Sequence, residues 1–359
     1  MAQINKPNQY FNTVLYTGDS TSNRSITGVN FQPDWVWIKN RTDTYAHMIY
    51  DNIRGAGNFI ESNSTNAETS GSHMNSFDSD GFTISYASSN RVNVSGSTYA
   101  SWNWLASNTT ASNTDGSITS TVSTSTTSGF SIVSYTGTGA TATIGHGLGV
   151  TPEIIIVKKR DTAGTDWITW GSILGGTVGS EFIKINFTGA KTTGLNSSWF
   201  NNTAPTSSVF TVGTQSDLNG SSATYIAYCF SEKKGFSKFG KFTSNGSDDG
   251  TFTYCGFKPA WIMMKANVSD TWSHWFIFDN KRDTYNLADL PQYANLAIQD
   301  GYYGGTPATN YSQIDMLSNG FKIRRDGNWG LGGNGTEVFY MAFAEQPLVG
   351  TNDIPTTAR

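Results

Sequence analysis

Asp51-Asn-Ile-Arg54 and Asp279-Asn-Lys-Arg282 each set a carboxylate three residues ahead of a guanidinium. Such a pair could bind a polar ligand or take part in hydrolysis, but its common use is a salt bridge that fixes a turn. Gly171-Ser-Ile-Leu174, at about the matching point between them, carries neither group. A glycosidase needs a second acid about 5–9.5 Å from the first, and no second carboxylate recurs at a comparable place. Asp78-Ser-Asp-Gly81 clusters oxygens as a calcium loop does, yet Phe82-Thr-Ile84 brings no bidentate acid. An Asx-Gly turn ahead of a strand explains it, and Asn319-Gly320 reads the same way. His146, between Gly145 and Gly147, has the place of a general base but no Ser or Cys nucleophile motif beside it. A tight turn is the reading for it. Cys229 and Cys255 are too few for a four-thiolate zinc site and read as small buried apolar residues, a disulfide between them being the alternative. No catalytic residue, metal site or cofactor is expected, and the chain reads as a non-enzyme.

Aromatic side chains offer a different chemistry. Trp35 and Trp37, Trp102 and Trp104, and Trp272 and Trp275 could stack on sugar rings, although tryptophans on strands mostly fill cores. Trp272 lies in the polar stretch Ser269-Asp-Thr-Trp-Ser273, which makes it the candidate ligand-binding residue.

The elements that would position these groups repeat three times. Pro33, Pro152 and Pro259 each start an apolar run that a lysine closes: Lys39, Lys158 and Lys265. These lysines are expected to lay their stems on the sheet and keep their heads in water. An aromatic strand follows each run (His47–Asp51, Asp166–Trp170, Trp275–Asp279). Then come Asp80–Ile84, Ser208–Val212 and Asn319–Ile323, and the units close with Tyr99–Trp104, Tyr225–Phe230 and Phe339–Phe343. Four landmarks in one order, three times over, define a repeat of roughly 100 residues, the size of a β-sandwich. Trp35-Val-Trp-Ile38 is apolar on both alternating faces, as a strand covered on both sides requires. The expected fold is all-β: three tandem antiparallel β-sandwiches, jelly-roll or lectin-like, over residues 1–105, 130–232 and 233–359. Residues 106–129, rich in Ser and Thr, read as a flexible or loosely packed linker. The short junction 231–238 predicts that units 2 and 3 are held closer together.

Composition narrows the function classes. The net charge is −4, with 23 Lys and Arg in 359 residues, too few to build the basic face a nucleic acid needs. No apolar run approaches the roughly 20 residues that span a bilayer, and Met1–Tyr10 has no leader pattern, so neither membrane insertion nor a secretory signal is expected.

The opening Tyr10–Gly18 and Phe31–Lys39, with Gly145-His-Gly-Leu-Gly149 and Met341-Ala-Phe-Ala-Glu345, resemble a family of tandem-repeat virion or tail structural proteins encoded by marine tailed phages. The resemblance covers nearly the whole chain. It implies a non-enzymatic virion component, localised to the particle and assembled in the host cytoplasm, most simply an exposed tail or tail-fibre protein that contacts the host surface. A capsid decoration protein is the alternative, and a glycan-binding or glycan-cleaving tail protein a further one. Other virion proteins, further copies of itself (a trimer by common phage architecture) and a host-surface glycan are the implied partners.

Overall fold

Each repeated set of landmarks folds into one antiparallel sheet with the same strand order. The computed structural model describes residues 3–86, 91–175, 181–194, 196–303, 306–307, 313–325, 330–331 and 333–345. Unit 1 contains β1 (Phe11–Thr17), β2 (Trp35–Asn40), β3 (Met48–Asp51) and β4 (Thr98–Trp104), ordered β1-β4-β2-β3. Unit 2 contains β5 (Ala111–Asn113), β6 (Ser120–Ser125), β7 (Phe130–Thr136), β8 (Ile154–Lys159), β9 (Ile168–Gly171), β10 (Ile183–Lys184) and β11 (Thr224–Phe230), ordered β5-β6-β7-β11-β8-β9-β10. Unit 3 contains β12 (Ser237–Thr243), β13 (Trp261–Ala266), β14 (Phe276–Asp279), β15 (Gln292–Tyr293) and β16 (Glu337–Phe343), ordered β12-β16-β13-β14-β15. In every unit the opening strand pairs with the closing strand, which pairs with the proline strand, which pairs with the aromatic strand. The proline strands β2 and β13 are buried at all positions, as expected of strands covered on both faces.

The two faces serve different cores. Outward, each main sheet packs on a small sheet of its own unit. In unit 1 this is Arg24–Thr27 with Gly81–Ile84 and Met74–Asp78; Val36, Ile38, Tyr50 and Tyr99 meet Ile26, Phe82 and Ile84 there. The sandwich is closed at its turn by Gly81, whose φ is +139° and where a Cβ would lie 2.0 Å from the Ile26 carbonyl oxygen. Gly320 approaches the Thr253 oxygen equally closely in unit 3, so the Asx-Gly turns read from the sequence serve backbone contact.

Inward, all three main sheets face one another across a single shared core. Trp35 packs on Tyr228 at 4.7 Å between ring centroids, Trp104 on Trp261 at 5.4 Å and Phe230 on Phe343 at 5.8 Å, so every pair of units is in ring contact. Aromatics of this size bury 150–250 Å² each, and this burial binds the sandwiches into one body. The short 231–238 junction therefore sets no closer pairing of units 2 and 3 than the shared core gives the other two pairs.

Two expectations are corrected. Residues 106–129 are not a linker: they contain β5, the edge strand of the unit 2 sheet, and β6, paired between β5 and β7, with Val122 and Ser123 buried. Ser120 and Ser123 fill two of the three buried positions of β6 beside Val122, so the segment lacks the apolar contrast that marks a strand. Lys39, Lys158 and Lys265 do not keep their heads in water either; all three are fully buried. Their ammonium groups donate to neutral oxygens: Lys39 to Asn40 O at 2.5 Å, Lys158 to Thr165 O at 2.6 Å, and Lys265 to Ser273 Oγ at 2.5 Å. Burial without a bonded carboxylate pushes the amines down, to about 7, about 8 and about 7. Cys229 and Cys255 are buried free thiols.

Candidate functional site

The chemistry-bearing residues gather at the seams between units, and the seams form a cycle. At the seam of units 1 and 2, Arg54 Nε donates to Asp51 Oδ2 at 2.5 Å, Arg54 N to Oδ1 at 2.9 Å, and Arg54 Nη2 to Ile49 O at 2.9 Å. Across the seam the Tyr228 hydroxyl donates to the same Asp51 oxygen at 2.7 Å. At the seam of units 3 and 1 the pattern repeats. Arg282 Nε donates to Asp279 Oδ2 at 2.5 Å, Arg282 N to Oδ1 at 2.8 Å, and Arg282 Nη2 to Ile277 O at 2.9 Å. Here Trp102 Nε1 supplies the cross-seam donor, at 2.9 Å from Asp279 Oδ2.

Both pairs are fully buried. Burial works against each charge, but the partner more than offsets it: Arg54 and Arg282 are held above the ordinary guanidinium range and Asp279 below the ordinary carboxylate range. A second acid extends each network. Arg54 also meets Glu68 at 3.3 Å, and Glu68 is held by Arg160 of unit 2 at 2.8 Å. Arg282 meets Asp300 at 2.9 Å, and Asp300 is held by Arg41 of unit 1 at 2.5 Å.

The third seam, between units 2 and 3, is built differently. Strand register puts Gly171 where Asp51 and Asp279 stand, opposite Ile154 as those face Trp35 and Trp261. Met341 takes the place of Trp102 and Tyr228. The result is a small apolar cavity lined by Ile154, Gly171, Leu174, Met263, Trp275 and Met341. One contact is common to all three seams. The residue just before each aromatic strand donates a ring N–H to a carbonyl of the preceding unit in the cycle: His47 Nε2 to Tyr293 O at 2.9 Å, Trp167 Nε1 to Glu61 O at 2.8 Å, and Trp275 Nε1 to Lys184 O at 2.8 Å. His47 is fixed as the Nε2–H tautomer because its Nδ1 accepts from Trp37 Nε1 at 2.8 Å, and burial keeps the ring neutral. The backbone N–H of each of these residues is capped by an asparagine side chain: Asn63, Asn186 and Asn295.

The sequence candidates thus separate. The Asp-Arg pairs are brought together at inter-unit seams, out of solvent, where they brace the packing. Asp78 accepts from Ser76 and Thr83 inside a hairpin, and Asp80 from the backbone of Gly28 and Asn30. His146 is buried, its Nδ1 accepting from Leu148 N at 3.2 Å, with its basicity lowered by burial. Trp35, Trp37, Trp102, Trp104 and Trp275 are core, whereas Trp272 is 36% exposed. Trp272 lies three residues after Ser269, which makes a contact of the third seam. There Ala190 N of unit 2 donates to Ser269 Oγ of unit 3 at 2.8 Å, and exposed Phe187 lies on the unit 2 side. Among the described residues, no three His, Cys, Asp or Glu side chains group as metal ligands, and no helix is long and apolar enough to cross a membrane. The seam residues Arg41 and Arg160 escaped the sequence reading, although each stands two positions after a matched lysine, where unit 3 has Asn267.

The family model described as "Domain of unknown function (DUF7483)" matches residues 6–347, and the chain belongs to that family. No curated protein and no solved structure matches it.

Proposed function

We propose that this DUF7483 member is a non-enzymatic structural protein of a tailed-phage virion, an exposed tail or tail-fibre component that contacts the host surface. The observation that carries the reading is the closure of three sandwiches on one aromatic core, cross-braced at two seams by buried ion networks. A body built this way spends its polar side chains on rigidity: Asp51, Asp279, Glu68 and Asp300 are all held by arginine rather than paired as free acids facing a cleft. The resemblance of Tyr10–Gly18 and Phe31–Lys39 to phage-encoded virion proteins points the same way. Trp272 of unit 3 and Phe187 of unit 2, both exposed, supply apolar ring surface for weak contact with a host glycan, which many copies on a particle would strengthen by avidity.

The test is antibody-gold labelling of purified particles viewed by electron microscopy. Gold on the tail or its fibres is the expected result. Gold over the head would replace this reading with capsid decoration, and an unlabelled particle would remove the virion assignment. Clearing of host capsule by the purified protein would overturn the non-enzymatic part.

A further inference from the structure

The opening strand of each unit has one side free of the core strands of its sheet, and the three edges are finished differently. Pairing with the closing strands aligns them: Phe11 faces Trp104, Phe130 faces Phe230 and Ser237 faces Phe343. Val14, Val133 and Gly240 therefore share one position, and Leu15, Ser134 and Lys241 share the next. In unit 2 the edge of β7 is covered by β6, with Val122 opposite Val133 and Thr121 opposite Ser134, and Val133 is fully buried. In unit 3 the edge of β12 has no further strand among the described residues, but it carries Lys238 and Lys241, the latter 2.6 Å from Glu337. Lysine on an edge strand opposes the addition of another strand. Unit 1 has neither device. β1 (Phe-Asn-Thr-Val-Leu-Tyr-Thr) carries no charge and no proline, has no further strand among the described residues, and leaves Leu15 37% exposed.

We propose that the edge of β1 pairs, antiparallel, with β1 of a second copy of this chain. The occupant follows from the strand that covers the matching edge within the molecule. Transferred from β7 to β1, the register of β6 sets a valine opposite Val14 and the threonine before it opposite Leu15. A second β1 supplies that same pair, Thr13-Val14, in the one register that a twofold axis through Val14 allows. β1 thus has the edge of β7 and the Thr-Val pair of β6 in one strand. Charge is confined to the end of the strand, where the Arg24 guanidinium donates to the Thr17 carbonyl oxygen, and no like charges meet between the paired strands themselves. The product is a continuous eight-stranded sheet and an isologous dimer. Its axis is twofold; a threefold arrangement is already met within one chain. This inference stands whether or not the protein belongs to a virion.

Sedimentation equilibrium of the full chain over a concentration series tests it. A reversible dimer is expected, and Leu15→Lys, which copies the lysine of β12, should weaken it at least about tenfold with an unchanged circular dichroism spectrum. Thr17→Lys, at the exposed end of the same edge, is the second variant should the first misfold. A monomer at every concentration overturns the proposal, as does an oligomer of any size that survives a folded Leu15→Lys or Thr17→Lys variant.

Discussion

The Tyr228 hydroxyl and the Asp51 carboxylate lie 2.7 Å apart across the seam of units 1 and 2, and Asp51 is at the same time held by Arg54. The relationship explains why an Asp-Arg motif that looks like a local turn device is fully buried. The turn brings the ion pair to the seam, and the neighbouring unit completes its hydrogen bonding. A buried charge is tolerated only when paired and fully bonded.

Tyr228→Phe removes one donor from a buried carboxylate and should cost about 1.5–3 kcal/mol. Arg54→Met leaves Asp51 uncompensated and should cost about 3–5 kcal/mol. Urea unfolding of both variants checks the order. Equal, near-zero costs would mean that the seam does not depend on this network.

The third seam is the natural comparison, since Gly171 and Leu174 hold the places of Asp51 and Arg54. Gly171→Asp puts a lone carboxylate into an apolar cavity and should destabilise by about 3–5 kcal/mol. No backbone atom blocks the change, and the closest neighbour of an added Cβ is Ile173 Cγ1 at 3.2 Å, which must shift by a few tenths of an ångström. Adding Leu174→Arg should recover part of the loss, and a double-mutant cycle would report that coupling as favourable. A coupling of zero would show that the two sites are not built alike.

The buried lysines give the protein a signed pH dependence. Their folded-state values, about 7, 8 and 7 for Lys39, Lys158 and Lys265, lie below the unfolded value of 10.5. Between these limits the unfolded chain holds more protons, so stability rises with pH from about 7 towards 10. Below about 7 the cost of the buried charges is complete and this contribution is flat. Urea midpoints measured from pH 6 to 9.5 should climb across that window, and Lys265→Met should flatten part of the rise. A slope identical in wild type and variant would show that Lys265 does not titrate there.

What the sequence revealed was periodic and local. The proline strands announced themselves because both of their faces are buried, so Trp35-Val-Trp-Ile38 is apolar throughout. The Asx-Gly turns were legible because a glycine is required where the backbone of Ile26 or Thr253 passes at 2.0 Å. What stayed hidden depended on partners far along the chain or on polar atoms inside. Nothing near Asp51 points to Tyr228, which lies 177 residues away. β6 was missed because Ser120 and Ser123 fill buried positions that usually signal themselves by being apolar. The matched lysines were found, but the oxygens that let them enter the interior have no signature of their own: the carbonyl of Asn40 at the end of β2, and Thr165 and Ser273 on loops.

Trp272 carries the last prediction, and it depends on the host-contact reading. The residue sits on the loop between β13 and β14, where Asp270 Oδ1 accepts from the backbone N–H groups of Trp272 and Ser273 at 2.8 and 2.5 Å. The loop is therefore fixed by its backbone, and a ring that is 36% exposed is presented from it at little further entropic cost. Trp272→Ala should leave the thermal unfolding midpoint nearly unchanged while weakening adhesion to host glycans by about fivefold or more, since aromatic anchors cost more than about 1 kcal/mol when truncated. Phe187→Ala, at the exposed ring of unit 2, should add to that loss. Glycan-array binding of the full chain and both variants measures it. Undiminished binding by a stable Trp272→Ala variant would move the glycan contact away from this residue.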